Sequence, residues 1–213
     1  VLRLGVDDSI VLFDGLGGEW RGRLLRVGKT VTVALESHLN VDREPPLAVT
    51  LAQGLPTADK MDWVVQKGVE LGVAAIRPVA ARRSVVRLSG ERLARRVQHW
   101  QSVAVAACEQ CGRNRVPTVA PLLDLPQFLG ETRADNALAL VLAPGAGTRL
   151  AELPRPAGPV LLLVGPEGGF EETELAAATV AGYRPVTLGP RVLRTETAGA
   201  AALAAMMALW GDF

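Results

Sequence analysis

Apolar and polar residues alternate in short runs between residues 9 and 36: SIVLFD from Ser9, EWRGRLLRV from Glu19 and TVTVALE from Thr30, separated by DGLGG and GK. Alternation with period two between glycine-rich turns predicts short antiparallel strands, closed into a small β-sheet or barrel. So small a unit buries little apolar surface of its own. The chain begins at Val1 in an already strand-like VLRLG, so this unit is expected to lack its first residues. The Glu44-Pro45-Pro46 step marks the boundary, which divides the chain into domains 1–44 and 45–213.

Beyond that step the period changes. LAVTLAQ, AAIRPVA, NALALVLAPGAG, LLLVGPEGG and PVTLGPR read as strands running into small-residue loops. Between them, Met61, Val64, Val65 and Val69, with Gly68, recur at helical spacing behind Asp59, the expected cap. A longer helix is predicted from Glu91 to Gln110, with Leu93, Val97, Trp100, Ala104 and Ala107 on one side. A helix of small residues begins at Thr195 or Thr197. Strands alternating with helices imply an α/β fold on a mainly parallel sheet. In such sheets ligands collect beyond the carboxyl ends of the strands, where these glycine loops fall.

Composition adds a few limits. With 213 residues, 49% of them hydrophobic, the chain can build one substantial core. The formal charge is only +1, yet of 23 cations only Lys29, Lys60 and Lys67 are lysines. Arginine suits phosphate and planar acceptors better than lysine does. The longest small-apolar run, AAALAAMMALW from Ala200, is too short to cross a bilayer, so a cytoplasmic protein without membrane attachment is expected. Cys108 and Cys111 form a C-x-x-C pair at the end of a helical pattern. Zinc would need two further ligands and a thioredoxin-like pair would open a helix, so two free thiols and no metal are expected.

The chemistry concentrates in LLLVGPEGGFEETE, Leu161 to Glu174. Neither the triphosphate loop nor the dinucleotide fingerprint is present, Pro166 removes an N–H, and no lysine follows. Glu167, Glu171, Glu172 and Glu174 repel an anion, so a neutral or cationic ligand with hydrogen-bond donors is expected there. S-adenosylmethionine, with a sulfonium and no phosphate, meets that description. A plain strand-to-helix turn remains the alternative. Arg191 and Arg194 precede a helix N-terminus, where they oppose its dipole, so they await a polar ligand or a salt bridge to Glu167 or Glu196.

With these residues in view, LVGPEGGF followed by LGPRVLRTETA resembles the cofactor signature of SPOUT-class RNA methyltransferases. Within that class the chain is similar to the 16S ribosomal RNA uracil-N3 methyltransferase family, supported by DKMDWVVQKGVELGV and CEQCGR. The β-rich start resembles that family's PUA-like RNA-binding domain. The resemblance implies a trefoil knot in the C-terminal domain, a homodimer, and S-adenosylmethionine as cofactor, with 16S ribosomal RNA in the small ribosomal subunit as partner. It places cofactor contacts at Leu142 and Ala143; at Gly165, Glu167, Gly168 and Gly169; and at Leu188, Gly189, Val192, Leu193 and Ala198. Methyl transfer to N3 needs the imide proton removed, and no histidine lies near these motifs. Arg194 is the expected stabiliser of the uracil anion, with Arg113 or Arg191 as alternates and Glu167 as orienter or proton acceptor. Phosphate contacts are expected from Arg21 and Arg23, from Arg82, Arg83 and Arg87, from Arg113 with Arg115, and from Arg191. Methylation of another RNA site, a non-catalytic RNA-binding module and a nicotinamide-dependent oxidoreductase are the competing readings.

Overall fold

The computed structural model describes residues 4–84 and 89–213. Arg87, expected among the phosphate contacts, lies outside the described residues. Two compact units form, one from Val1–Glu44 with Cys108–Val116, the other from Pro45–Ala107 with Pro117–Phe213.

In the first unit, β1 (Ser9–Leu12), β2 (Glu19–Arg26) and β3 (Thr32–Leu39) make an antiparallel sheet in the order β1-β2-β3. The register slips at Gly22, where a Cβ would sit 2.7 Å from the Ala34 carbonyl oxygen. The 108–116 segment is fastened to this sheet by hydrogen bonds that sequence periodicity cannot show. Asn114 Nδ2 donates to the Val41 carbonyl at 2.7 Å, and Arg115 Nη1 to that of Leu16 at 2.7 Å. Arg113 corrects an expectation: it is buried, only 5% exposed, and its fork meets the Glu44 carboxylate, with Nε 3.0 Å from Oε1 and Nη2 on Oε2. A guanidinium so enclosed is a structural pin and offers no face to a phosphate.

The two cysteines are free. Burial, the largest influence, pushes the Cys108 thiol up to about 11 against the pull of Arg113. Such a thiol stays protonated at neutral pH and is a poor nucleophile.

The second unit is built on a sheet in the order β10-β8-β9-β4-β5-β6, with β7 also on β5. Its strands are β4 (Val49–Gly54), β5 (Ala75–Ala80), β6 (Thr118–Val119), β7 (Leu123–Asp124), β8 (Leu138–Leu142), β9 (Val160–Val164) and β10 (Arg184–Val186). Every pairing is parallel. Strands covered on both faces need apolar residues throughout, which is why VLLLV and LALVL do not alternate. One face packs Ala52, Val79, Val141 and Leu163 with Phe128 of α3 (Leu125–Leu129) and Ala178 of α4 (Glu172–Val180). On the other lie α1 (Ala58–Glu70) and α5 (Thr195–Trp210), which contact each other. Met61, Val64, Val65 and Val69 are buried as the helical spacing requires. The long helix α2 (Gly90–Cys111) buries Trp100, Ala104 and Ala107, while Leu93 and Val97 are half-buried.

Asp59 is not the cap of α1. That position is Thr57, whose hydroxyl is drawn away to Glu167, and Asp59 sits in the first turn.

The small residues of α5 serve packing within the chain. A Cβ on Gly199 would lie 3.4 Å from Gln53 Oε1 and 3.5 Å from Leu51 Cδ1, so the helix rides directly on β4. The chain thus reaches the edge at β10 and then doubles back to β4 and β9.

The approach is closest where β4 ends. A Cβ on Gly54 would fall 2.6 Å from the Pro166 nitrogen and 2.8 Å from the Gly165 carbonyl carbon. Both obstacles are backbone, so neither can rotate away. Gly54→Ala is expected to lower stability by about 1–3 kcal/mol, the usual cost of overpacking, read from the denaturant midpoint at unchanged slope.

Candidate active site

Three loops leave the carboxyl ends of β8, β9 and β10, and hydrogen bonds knit them together. Ala143 N donates to the Val186 carbonyl at 3.0 Å, Leu150 N to that of Thr187 at 2.9 Å, and Thr187 N to that of Thr148 at 2.9 Å. The glycine loop closes on itself, Gly169 N to Pro166 O at 2.9 Å, with Gly169 at φ +67°, a conformation glycine adopts freely. Behind it lies a buried relay. Gln53 Nε2 donates to Thr195 Oγ1 at 2.8 Å, and that hydroxyl donates to the Gly165 carbonyl.

The loops enclose a cavity of about 510 Å³. Of the eleven expected cofactor residues, Gly189 alone is not in its wall. The wall also includes Lys60, Thr187, Arg191, Arg194, Thr195 and Glu196. Gly189 stands one step outside, its N–H 3.3 Å from the Thr187 hydroxyl oxygen.

The electrostatics differ from the expectation of an acid-rimmed loop. Glu171, Glu172 and Glu174 do not line the cavity. Glu174 is buried, accepting from Arg82 N at 2.9 Å and from Glu171 N at 2.9 Å. Glu171 meets Arg82 Nη1 at 3.1 Å and Arg83 Nε at 4.0 Å. Glu171 and Glu174 thus satisfy the start of α4 and the 82–83 turn, away from the cavity. Among its charged residues the wall holds Lys60, Arg191 and Arg194 against Glu167 and Glu196.

Lys60 sits between the two acids. Its Nζ is 3.0 Å from Glu167 Oε1 and 3.7 Å from Glu196 Oε2. The salt bridges considered for Arg191 and Arg194 therefore go to a lysine, and both arginines stand exposed without an ion pair among the described residues.

Glu167 Oε1 also accepts from Thr57 N and Thr57 Oγ1, each at 3.0 Å. Partial burial alone would raise its pKa. Hydrogen bonds from the Thr57 N–H, its own N–H, Lys60 and the Thr57 hydroxyl outweigh that and hold it at about 2. A carboxylate so well satisfied can orient neighbours but is a weak proton acceptor.

The expected phosphate contacts scatter. Arg21 and Arg23 are exposed on β2, where Arg23 Nε pairs with Glu36 at 2.9 Å. Arg82 and Arg83 keep about half or more of their side chains open, at 69% and 54%. Arg83 Nη1 also holds the Gly168 carbonyl at 3.1 Å, so it braces the glycine loop.

Sequence reading missed Gln53, Thr57 and Lys60. Gln53 had a signal, a polar residue ending an otherwise apolar buried strand. Lys60 is one of only three lysines.

The sequence profile of the RNA methyltransferase domain family matches residues 43–207, and that of the RNA methyltransferase PUA domain matches residues 1–35. A Bacillus subtilis protein named ribosomal RNA small subunit methyltransferase E is 36% identical, over 97% of this chain and 84% of its own. The chain belongs to this family of RNA methyltransferases. The crystal structure of the Neisseria gonorrhoeae ribosomal RNA small subunit methyltransferase E, bound to S-adenosylmethionine, superposes with a TM-score of 0.93. It shares 40% identity, covering 99% of this chain and 87% of that one. A Legionella pneumophila protein solved with the same cofactor gives a TM-score of 0.93 at 38% identity, covering 99% and 87%. In the RNA methyltransferase family the cavity at the three loops thus takes its place as the candidate active site.

Because its folded pKa is depressed, Glu167 adds stability that is full above the ordinary carboxylate value of 4.5 and is lost as pH falls towards 2. Glu167→Gln is expected to lower the melting temperature most at neutral pH, with the gap closing in acid. Thermal melts across that range check this; a gap independent of pH would contradict it.

Proposed function

We propose that the protein transfers the methyl group of S-adenosylmethionine to N3 of a uridine in 16S ribosomal RNA. The observation that carries this is the cavity, built where three small-residue loops meet and lined by all but one of the residues expected to hold that cofactor. Relatives of the same fold with S-adenosylmethionine bound support it.

The chemistry of the wall is consistent with both reactants. Lys60 with Glu167 and Glu196 leaves one net negative charge, which favours a sulfonium. Arg191 and Arg194 supply uncompensated positive charge for the anion that forms on O2 or O4 when N3 loses its proton. Bare peptide groups of the loops are left to read the adenine, which explains the small residues around them. In this reading Glu167 is a positioning residue and Arg194 stabilises the uracil anion.

The 1–44 segment, with Cys108–Val116 in the same compact unit, is the RNA-binding domain, and the remainder of 45–213 is the methyltransferase domain. Arg21 and Arg23, together with Arg82, Arg83 and Arg191, draw in the backbone of an unpaired or flipped nucleotide, since N3 is occupied in a paired uracil. The enzyme works as a homodimer in the cytoplasm on RNA within the small subunit. The exposed apolar residues Leu209 and Phe213 at the C-terminal end are compatible with a second copy.

The direct test incubates the protein with labelled S-adenosylmethionine and small subunits from a strain lacking the activity, then maps the product by mass spectrometry. One N3-methyluridine in 16S RNA is expected; a methyl elsewhere, or none, would overturn the assignment. Arg194→Ala is expected to lower kcat about 10²–10³-fold while calorimetric affinity for the cofactor stays within a factor of two or so. Near-normal turnover at saturating RNA and cofactor would rule Arg194 out.

A further inference from the structure

Removal of the imide proton needs an acceptor, and the wall contains no histidine. Resting on the methyl-transfer reading above, we infer that Glu196 is the general base that takes the N3 proton of the target uracil. Glu196 is the second residue of α5 and lines the cavity, with 18% of its side chain still open. Its Oε2 is buried with no hydrogen-bond partner. The nearest cation, Lys60 Nζ, is 3.7 Å away, beyond hydrogen-bonding distance for that donor.

The comparison with Glu167 decides between the two carboxylates of the wall. Glu167 Oε1 already receives Thr57 N, Thr57 Oγ1 and Lys60 Nζ. That oxygen's lone pairs are committed, whereas Glu196 Oε2 has no donor on it. An ionised carboxylate with no donor on it is an expensive thing to keep in a protein interior. Here a donor is supplied when the substrate arrives.

Placement fits the shape of the substrate. An imide presents an N–H between two carbonyl oxygens. Arg194, the cap of α5, and Glu196, in its first turn, bring a donor and an acceptor from one helix end into one cavity. The acceptor meets N3–H and the guanidinium meets a flanking oxygen. Lys60 stays on Glu167 and holds the Glu196 side chain by charge alone.

The step balances. The N3–H bond breaks and its proton passes to the Glu196 carboxylate. The N3 electron pair forms a bond to the sulfonium methyl carbon, the carbon–sulfur bond breaks with its pair remaining on sulfur, and a neutral thioether leaves. Protonated Glu196 then returns its proton to water.

The test compares the unaltered protein, Glu196→Gln and Glu196→Asp on two substrates. These are small subunits reconstituted with ordinary 16S RNA, and the same particles carrying 5-fluorouridine, whose imide is more acidic. Glu196→Gln is expected to lower kcat on ordinary RNA about 10²-fold or more. On fluorinated RNA the deficit shrinks, because a more acidic imide depends less on a base. Glu196→Asp restores part of the rate and leaves calorimetric affinity for S-adenosylmethionine unchanged, while Glu196→Gln, which removes the net negative charge of the wall, weakens that affinity by far less than it lowers kcat.

An equal deficit on the two RNAs, or a loss of cofactor affinity that accounts for the rate, would show a structural or cofactor-holding role and overturn the inference. Full activity of Glu196→Gln beside an active unaltered protein overturns this inference alone. No transfer by the unaltered protein overturns the methyl-transfer reading with it.

Discussion

The site depends on a buried hydrogen-bond relay behind the glycine loop. Gln53 at the end of β4 donates to the Thr195 hydroxyl, which donates to the carbonyl of Gly165 at the end of β9. That relay ties the first residue of α5 to two strands of the sheet, at the point where the chain has doubled back from its edge. A buried polar group left without a partner costs about 1–3 kcal/mol, so the two hydrogen bonds of the relay favour this arrangement of the loops. Gly54 makes the same demand sterically, since it lets the Gly165–Pro166 backbone approach where a Cβ would hold it off. The cavity is what remains once these contacts are satisfied.

Its charge is divided by the same means. Lys60 comes from α1, Glu167 from the loop after β9 and Glu196 from α5, so the pairing of one cation with two acids exists only when all three elements meet. Arg191 and Arg194 are left over. Opposite charges meet in the proposed reaction, a cation lost at sulfur and an anion consumed at nitrogen, and the wall carries an answer to each. A uniformly acidic rim would favour the first and oppose the second.

Much of this was legible in the chain. Continuous apolar runs separated by helical spacing gave the parallel sheet, because strands covered on both faces must be apolar throughout. Glycine loops at strand ends located the cavity, with only Gly189 falling outside its wall. What stayed hidden were partners distant in sequence. Nothing local to Arg113 tells that Glu44 will enclose it, and nothing in FEETE tells that Glu174 will turn inward to the Arg82 amide. The pairing of Lys60 with Glu167 spans more than a hundred residues. Side-chain partners of that kind depend on the completed topology, which periodicity does not encode.

The Gln53–Thr195–Gly165 relay shapes the cavity proposed to hold the cofactor. Thr195→Val keeps the shape of the side chain and removes the hydroxyl. Titrating that variant calorimetrically with S-adenosylmethionine, after circular dichroism has shown the fold retained, tests this most directly. Affinity at least about tenfold weaker is expected, the equivalent of about 1.4 kcal/mol. A folded Thr195→Val protein that binds the cofactor as tightly as the unaltered chain would contradict it.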